Sequence, residues 1–215
     1  MRDEVSGDLS IAASTIPGEV LVPPMVGEFK ALQPAVGVRV DIFDSGSVIE
    51  KVRDGTYELG FCGIHPGGKE LECIEIAQDE IVLIVFPEHP FAGRDQISLL
   101  ELQGEPLILR EEASGTQSTL RSLMTKAGLD IGKQSPRLVL GTTQALVTAV
   151  EAKAGIAFVS NLAAKKSAAL GLVKQVPIEG LKLTRSFYCI YRQERVVSRL
   201  LNEFIAFVRS EFERH

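Results

Sequence analysis

The sequence of 215 residues lacks tryptophan and has only three cysteines, an odd number that cannot pair completely within one chain. None of the three has a C-x-x-C or histidine-rich spacing, so we predict neither a disulfide framework nor a metal site. Free thiols favour a reducing, cytoplasmic compartment. Cys73 and Cys189 are interpreted as small apolar side chains in strands. Cys62 follows an apolar run, and a redox role for it stays open.

Membrane and catalytic signals are also missing. No apolar run approaches the roughly 20 residues that span a bilayer, and the first residues lack the order of a signal peptide. There is no G-x-S-x-G motif, no P-loop and no G-x-G-x-x-G after a predicted strand. His65 and His89 precede prolines in turns and His215 is the last residue, so structural or solvated roles are expected. We therefore predict no membrane association, no enzyme, no cofactor and no metal.

Positive charge is in deficit, with 23 basic residues against 28 acidic ones and a formal net charge of −5. This sign opposes phosphate neutralisation, so we do not expect the chain to hold DNA by itself. Hydrophobic residues make up 45% and charged residues 24%, which is typical of a globular protein with a sizeable core. The length allows one large domain or two small ones.

The pattern of apolar residues predicts an α/β fold in which strands and helices alternate. Strands are predicted at residues 9–14, 36–43, 59–64, 81–86, 107–109, 139–140, 155–159, 172–176 and 186–191. Helices are predicted at residues 21–32, 47–52, 114–127, 142–152 and 197–212. Two of them have the spacing of a capping box, Ser47 with Glu50 and Ser114 with Gln117.

The alternation occurs twice, which predicts two similar α/β units between which the chain crosses twice. We expect subdomain I to comprise residues 1–79 and 183–215, and subdomain II residues 80–182. In open α/β folds, small ligands bind at the carboxyl ends of parallel strands, beside helix N-termini. A binding cleft between the two subdomains is therefore expected.

Hydroxyl side chains stand at three of the predicted strand-to-helix turns. Each could be an ordinary helix N-cap. Helix N-termini together with hydroxyl donors also form a site for a small anion, and we favour a carboxylate or an inorganic oxyanion as the ligand. The three clusters are Ser14 with Thr15, Ser114 with Thr116, and Thr142 with Thr143.

Charged residues next to the second cluster qualify this prediction. Glu111 and Glu112 precede Ser114, and both must point away if an anion is to bind well. Arg110 either assists the anion or is a surface charge, and both alternatives are open.

Five segments in order resemble the effector-binding domain of LysR-type transcriptional regulators. The likeness covers nearly the whole chain, although each segment alone is a weak signal. The segments are GDLSIAAST at 7–15, PPMVGEF at 23–29, GTYELGF at 55–61, HPFA at 89–92 and VEAKAGIA at 150–157.

The resemblance implies two Rossmann-like subdomains joined by two crossover strands, as in type 2 periplasmic binding proteins. It also implies a ligand-sensing domain that controls DNA binding and transcription by a full-length regulator. The winged helix-turn-helix of the family is missing, and residues 1–5 resemble the end of its linker helix. The positions that match family contact sites are Ser14, Thr15, Gly63, Ser114, Gly115, Thr116, Thr142 and Thr143.

The resemblance further implies a homodimer or tetramer, with the helices at residues 23–32 and 118–127 in the interface. The alternative is that Met25, Phe29, Leu123 and Met124 on these helices all face the core. DNA contact would be left to the absent N-terminal domain. A rival function is an exported type 2 solute-binding protein of a transporter, against which the unpaired cysteines count.

Overall fold

A computed structural model of the chain describes residues 5–112, 114–129, 138–193 and 198–212. The strands are β1 (Gly7–Ser14), β2 (Val36–Phe43), β3 (Leu59–Cys62), β4 (Leu71–Val85), β5 (Leu107–Arg110), β6 (Leu138–Leu140), β7 (Ile156–Ser160), β8 (Lys174–Val176) and β9 (Thr184–Arg192). The helices are α1 (Val22–Leu32), α2 (Ser45–Arg53), α3 (Gly115–Lys126), α4 (Thr143–Glu151), α5 (Asn161–Ala169) and α6 (Arg199–Phe212). A π-helical turn, Pro17–Leu21, leads into α1, and a 3₁₀ turn spans Leu99–Leu102.

The chain divides into two compact units. Unit 1 comprises Met1–Gln78 and Ser186–His215, and unit 2 comprises Asp79–Arg185. The chain passes between them inside β4 and inside β9, because each boundary falls within one of these strands.

The sheet of unit 1 has the strand order β2-β1-β3-β9. The first three strands are parallel, with Ser14 opposite Phe43, whereas β9 runs antiparallel to β3. Because the carboxyl ends of parallel strands share one edge, the residues that follow β1, β2 and β3 gather there. The rings of Phe29 in α1 and Phe204 in α6 pack edge to face at 4.9 Å.

The sheet of unit 2 has the order β4-β7-β5-β6, with β8 also paired to β4. Strands β5, β6 and β7 are parallel, and β4 is antiparallel to β7. Side chains alternate across β4, so Leu83 joins one hydrophobic cluster with Met124 of α3. Ile84 joins a second cluster with Val147 of α4. The sheet is therefore covered by helices on both faces, as the α/β prediction requires.

The elements of the structure differ from the predicted ones in several places. Helix α2 begins at Ser45 rather than Ser47, because the Asp44 carboxylate accepts from Ser47 N over 2.9 Å and caps the helix earlier. Strand β4 begins ten residues before the predicted strand. Helix α5 was not predicted, because its sequence NLAAKKSAA has almost no amphipathic periodicity.

The apolar residues that could form either core or interface lie mostly inside. Met25, Phe29 and Met124 are buried, and Leu123 packs half-buried against the core of unit 2. These side chains support the core alternative, and self-association stays a prediction. Predicted features at residues 1–4, at His215 and at the start of the last helix lie outside the described residues.

Candidate functional site

Polar side chains gather at the carboxyl edge of the unit 2 sheet. Strands β5 and β7 end there at Arg110 and Ser160, and helices α3, α4 and α5 begin beyond the same edge. Helix N-termini present unpaired N–H groups and the positive end of the helix dipole. This edge is the one at which the sequence predicts an anion site.

Thr143 is held at this edge by a buried arginine. Thr143 is the first residue of α4 and is only 1% exposed. Arg110 Nη1 donates to Thr143 Oγ1 over 3.0 Å, and Arg110 Nη2 donates to the Gly141 carbonyl over 2.8 Å. Arg110 is 5% exposed, so the surface-charge alternative is wrong. The guanidinium instead fixes the start of α4.

Thr116, in the first turn of α3, is held in the same way by a second arginine. Arg185 Nη1 donates to Thr116 Oγ1 over 3.0 Å. Arg185 Nε and Nη2 both donate to Asp79 Oδ2, over 2.9 Å and 2.8 Å. Burial lowers the pKa of Arg185, and the Asp79 carboxylate opposes that shift. Asp79 Oδ1 accepts from Leu162 N at the start of α5 over 3.4 Å.

A threonine hydroxyl that accepts a hydrogen bond from a guanidinium has a defined orientation of its proton. A guanidinium carries donors only, so the hydroxyl proton must point to another acceptor. Thr116 and Thr143 are thus both oriented as donors, each in the first turn of a helix. Two such donors beside helix N-termini suit a ligand rich in acceptor atoms, as an anion is.

The remaining predicted residues of unit 2 cap the helices. Ser114 Oγ accepts from Gln117 N over 3.4 Å, and Thr142 Oγ1 accepts from Ala145 N over 3.1 Å. Ser114 is buried and Thr142 is exposed. The predicted second capping box is only half formed, because Gln117 Oε1 accepts from Arg110 N instead of bonding back to Ser114. Gly115 is the first residue of α3.

The two acidic residues before Ser114 behave differently. Glu111 Oε1 lies 3.3 Å from Arg110 Nη2, so this carboxylate does not meet the condition that it point away from the site. The positive charge of the Arg110 guanidinium attracts this carboxylate. The Glu112 side chain is 87% exposed and lies 3.4 Å from Arg121.

Ser14, Thr15 and Gly63 share the carboxyl edge of the unit 1 sheet. Ser14 ends β1 and is buried, while Thr15 is half-buried at the next position. Gly63 follows β3, and its N–H donates to Ser45 Oγ over 3.4 Å. Ser45 is the buried first residue of α2. Each unit therefore has predicted site residues at the carboxyl edge of its own sheet.

Histidine and cysteine chemistry is not supported in the described part of the chain. His65 Nδ1 accepts from Gly67 N and His89 Nδ1 accepts from Phe91 N, so both rings cap turns. The three cysteines are free. Burial raises the pKa of the Cys62 thiol to about 12, which opposes formation of the reactive thiolate. No metal-binding group of three or more His, Cys, Asp or Glu side chains occurs within the described ranges.

Sequence reasoning missed Asp79, Arg185 and Ser45. Asp79 and Arg185 are 106 positions apart, so no local spacing joins them. Asp79 stands between Gln78 and Glu80 in β4, so the local sequence does not mark it as buried. None of the helices in the described ranges has the length and apolar character needed to cross a bilayer.

Comparison with family models identifies the family of this chain. The model of the LysR substrate binding domain matches residues 2–213. The chain is 33% identical over 215 residues to the phosphonates import ATP-binding protein PhnC of Anaeromyxobacter dehalogenans, covering 95% of this chain and 41% of that protein. It is 32% identical over 190 residues to the HTH-type transcriptional regulator MJ0300 of Methanocaldococcus jannaschii, covering 88% of this chain and 64% of that protein. The chain thus spans less than two thirds of the length of these relatives.

Solved structures share the fold. The CcmR regulatory domain of Synechocystis PCC6803 in complex with 2-PG has a TM-score of 0.86 at 22% identity, over 97% of this chain and 98% of that one. The effector binding domain of QuiR in complex with shikimate has a TM-score of 0.82 at 20% identity, over 98% and 99% of the two chains. At these identities the likeness establishes the fold.

Proposed function

The chain belongs to the family of LysR substrate binding domains, and we propose that it senses a small anionic effector, a carboxylate or an inorganic oxyanion, on behalf of a longer transcriptional regulator. The family is one of transcriptional regulators and not of enzymes. The family match also favours this function over that of an exported solute-binding protein.

One observation carries the anionic character of the effector. Thr116 and Thr143 accept from Arg185 and Arg110, so each hydroxyl proton points to another acceptor, and a ligand would supply it. Both hydroxyls stand in the first turns of helices, where the dipole favours negative charge. A cation or a ligand made up of donors would meet two donors here and bind poorly.

The similar structures support a small-molecule ligand, since the CcmR domain binds 2-PG and the QuiR domain binds shikimate. We propose that units 1 and 2 correspond to subdomains I and II. We further propose that Ser14, Thr15 and Gly63 contribute contacts from unit 1. The predicted placement of the ligand in a cleft between the subdomains stays a prediction.

The role of the full-length regulator is a further part of the proposal. Effector binding would alter DNA binding by an N-terminal helix-turn-helix domain, in a homodimer or tetramer in the cytoplasm. The net charge of −5 agrees with leaving DNA contact to another domain. Gel-shift assays with the regulator and with this domain alone test this division, and specific promoter binding by this domain alone would contradict it.

Calorimetry with sulfate, phosphate, acetate, ammonium and a neutral aromatic alcohol tests the anionic class. Anions are expected to bind, and tight binding only of the cation or the aromatic would contradict the proposal. For an anion that binds, Thr143→Val should weaken binding by about 1–2 kcal/mol, the scale of one charge-assisted hydrogen bond. Thr143→Ser keeps the hydroxyl and should retain most of the affinity.

A further inference from the structure

The two buried arginines at the carboxyl edge of unit 2 differ in how their charges are compensated. Arg185 has a fully buried carboxylate partner, since the Asp79 side chain is 0% exposed. The carboxylate beside Arg110 belongs to Glu111, whose side chain is 52% exposed, and their contact is longer at 3.3 Å. Arg110 Nε is buried and has no hydrogen-bond partner among the described residues. The positive charge of Arg110 is therefore the less completely compensated of the two.

The Glu111 carboxylate occupies a position suited to an external anion. It lies against Nη2 of Arg110, the nitrogen that also donates to the Gly141 carbonyl just before α4. A Cβ added to Gly141 would stand 3.7 Å from Glu111 Oε2, which places the carboxylate close to this turn. Guanidinium and helix N-terminus both attract negative charge.

We propose that Glu111 determines the ligand specificity of this site by acting as an internal competitor for the anionic effector. In the free chain its carboxylate neutralises the outer side of Arg110. When the effector binds, its own anionic group takes over that contact and the Glu111 side chain turns to solvent, where it is already half exposed. This inference rests on the proposed anionic effector.

Competition by Glu111 has a consequence for selectivity. Any anion that binds must either displace the carboxylate from Arg110 or accept its repulsion at close range. Weakly interacting anions would be rejected, and ligands with several acceptor oxygens would be favoured because they can engage Arg110 and a threonine hydroxyl together.

The test compares Glu111→Gln with Glu112→Gln. The two changes remove the same charge from adjacent positions, but Glu112 contacts Arg121 rather than Arg110. Sulfate and phosphate serve as probes, titrated by calorimetry at one pH and constant ionic strength. Removing a like charge a few ångströms from the bound anion should tighten binding by about tenfold in Glu111→Gln. Binding to Glu112→Gln should stay within about twofold of the original, as expected of an exposed charge.

The outcomes separate this inference from the proposed function. Equal affinity of all three proteins for the anions, or weaker binding by Glu111→Gln, would overturn the role of Glu111 and leave the anionic effector standing. Failure of all three to bind either anion while they bind a neutral or cationic ligand would overturn both. Because the Glu111 side chain is 52% exposed and solvent screens its contact with Arg110, Glu111→Gln should cost less stability than a change at the fully buried Asp79.

Discussion

Replacing Asp79 by asparagine should strongly destabilise unit 2. The Asp79 side chain is fully buried, and its Oδ2 accepts two hydrogen bonds from Arg185, whose side chain is 5% exposed. Asparagine keeps the shape but removes the negative charge, so the buried guanidinium of Arg185 loses the carboxylate of Asp79. Breaking a buried ion pair on one side costs about 3–5 kcal/mol. This is a large share of the roughly 5–15 kcal/mol that stabilises a typical domain.

The assay is urea unfolding followed by circular dichroism, with hydrogen exchange to locate the loss. Exchange should accelerate at the start of α5, because Asp79 Oδ1 accepts from Leu162 N. Asp95→Asn is the matched control: Asp95 is exposed in the same unit, and a surface change of this kind usually stays within about 0.5 kcal/mol.

A double variant, Asp79→Asn with Arg185→Gln, sharpens the test. It leaves no uncompensated charge, so it should be more stable than Asp79→Asn alone. A loss below about 1 kcal/mol in the single variant, comparable with a surface position, would refute the buried ion pair. So would a double variant whose loss equals the sum of the two single losses.

Three further predictions concern stability elsewhere in the chain. The pKa of Glu101 is lowered to about 2, chiefly by its hydrogen bond with Arg94, so its contribution is complete above about pH 4.5 and is lost as the pH falls towards 2. Acid unfolding should therefore be steeper in that window for the original protein than for Glu101→Gln, and identical profiles would contradict this. Ser160 Oγ is buried without a hydrogen-bond partner among the described residues, so Ser160→Ala should raise the stability by about 1 kcal/mol in thermal melts, whereas a loss would mean that the hydroxyl has a partner. Gly155→Ala should cost about 1–3 kcal/mol in urea unfolding, because its Cβ would stand 2.2 Å from the Pro106 carbonyl oxygen, and an unchanged midpoint would contradict that close approach.

Much of the fold could be predicted because the hydrophobic pattern records burial directly. The alternation in residues 36–43 predicts β2 with its observed bounds, and the hydroxyl clusters stand at helix starts as expected. The chain passes between the units after Gln78, and this position lies inside β4. Gln78 and Asp79 are adjacent polar residues, which in sequence indicate a loop between two units. The strand nevertheless continues through them, because the buried Asp79 side chain is paired with Arg185.

Only those features of the site that depend on neighbouring residues in the sequence could be predicted. A threonine at a helix start has the same sequence signal whether it caps the helix or offers a hydroxyl to a ligand. Thr116 and Thr143 differ from the cap Thr142 because each accepts a hydrogen bond from an arginine. These arginines are 69 and 33 residues away in sequence. Such partners are set by strand pairing and not by neighbouring residues.

The arginine–threonine pairs explain why charged groups are buried at this edge of the sheet. A buried ion pair gives little net stability, because desolvation offsets the Coulomb attraction. Stability alone therefore does not explain why Arg110 and Arg185 occupy positions in which an apolar side chain would pack as well. Orienting a hydroxyl is a further reason, since an apolar side chain in either position would leave the threonine free to rotate and to offer a lone pair in place of its proton. The buried arginines thus orient the hydroxyl groups at the helix N-termini as donors. Recognition of an anion in the proposed site depends on these donors.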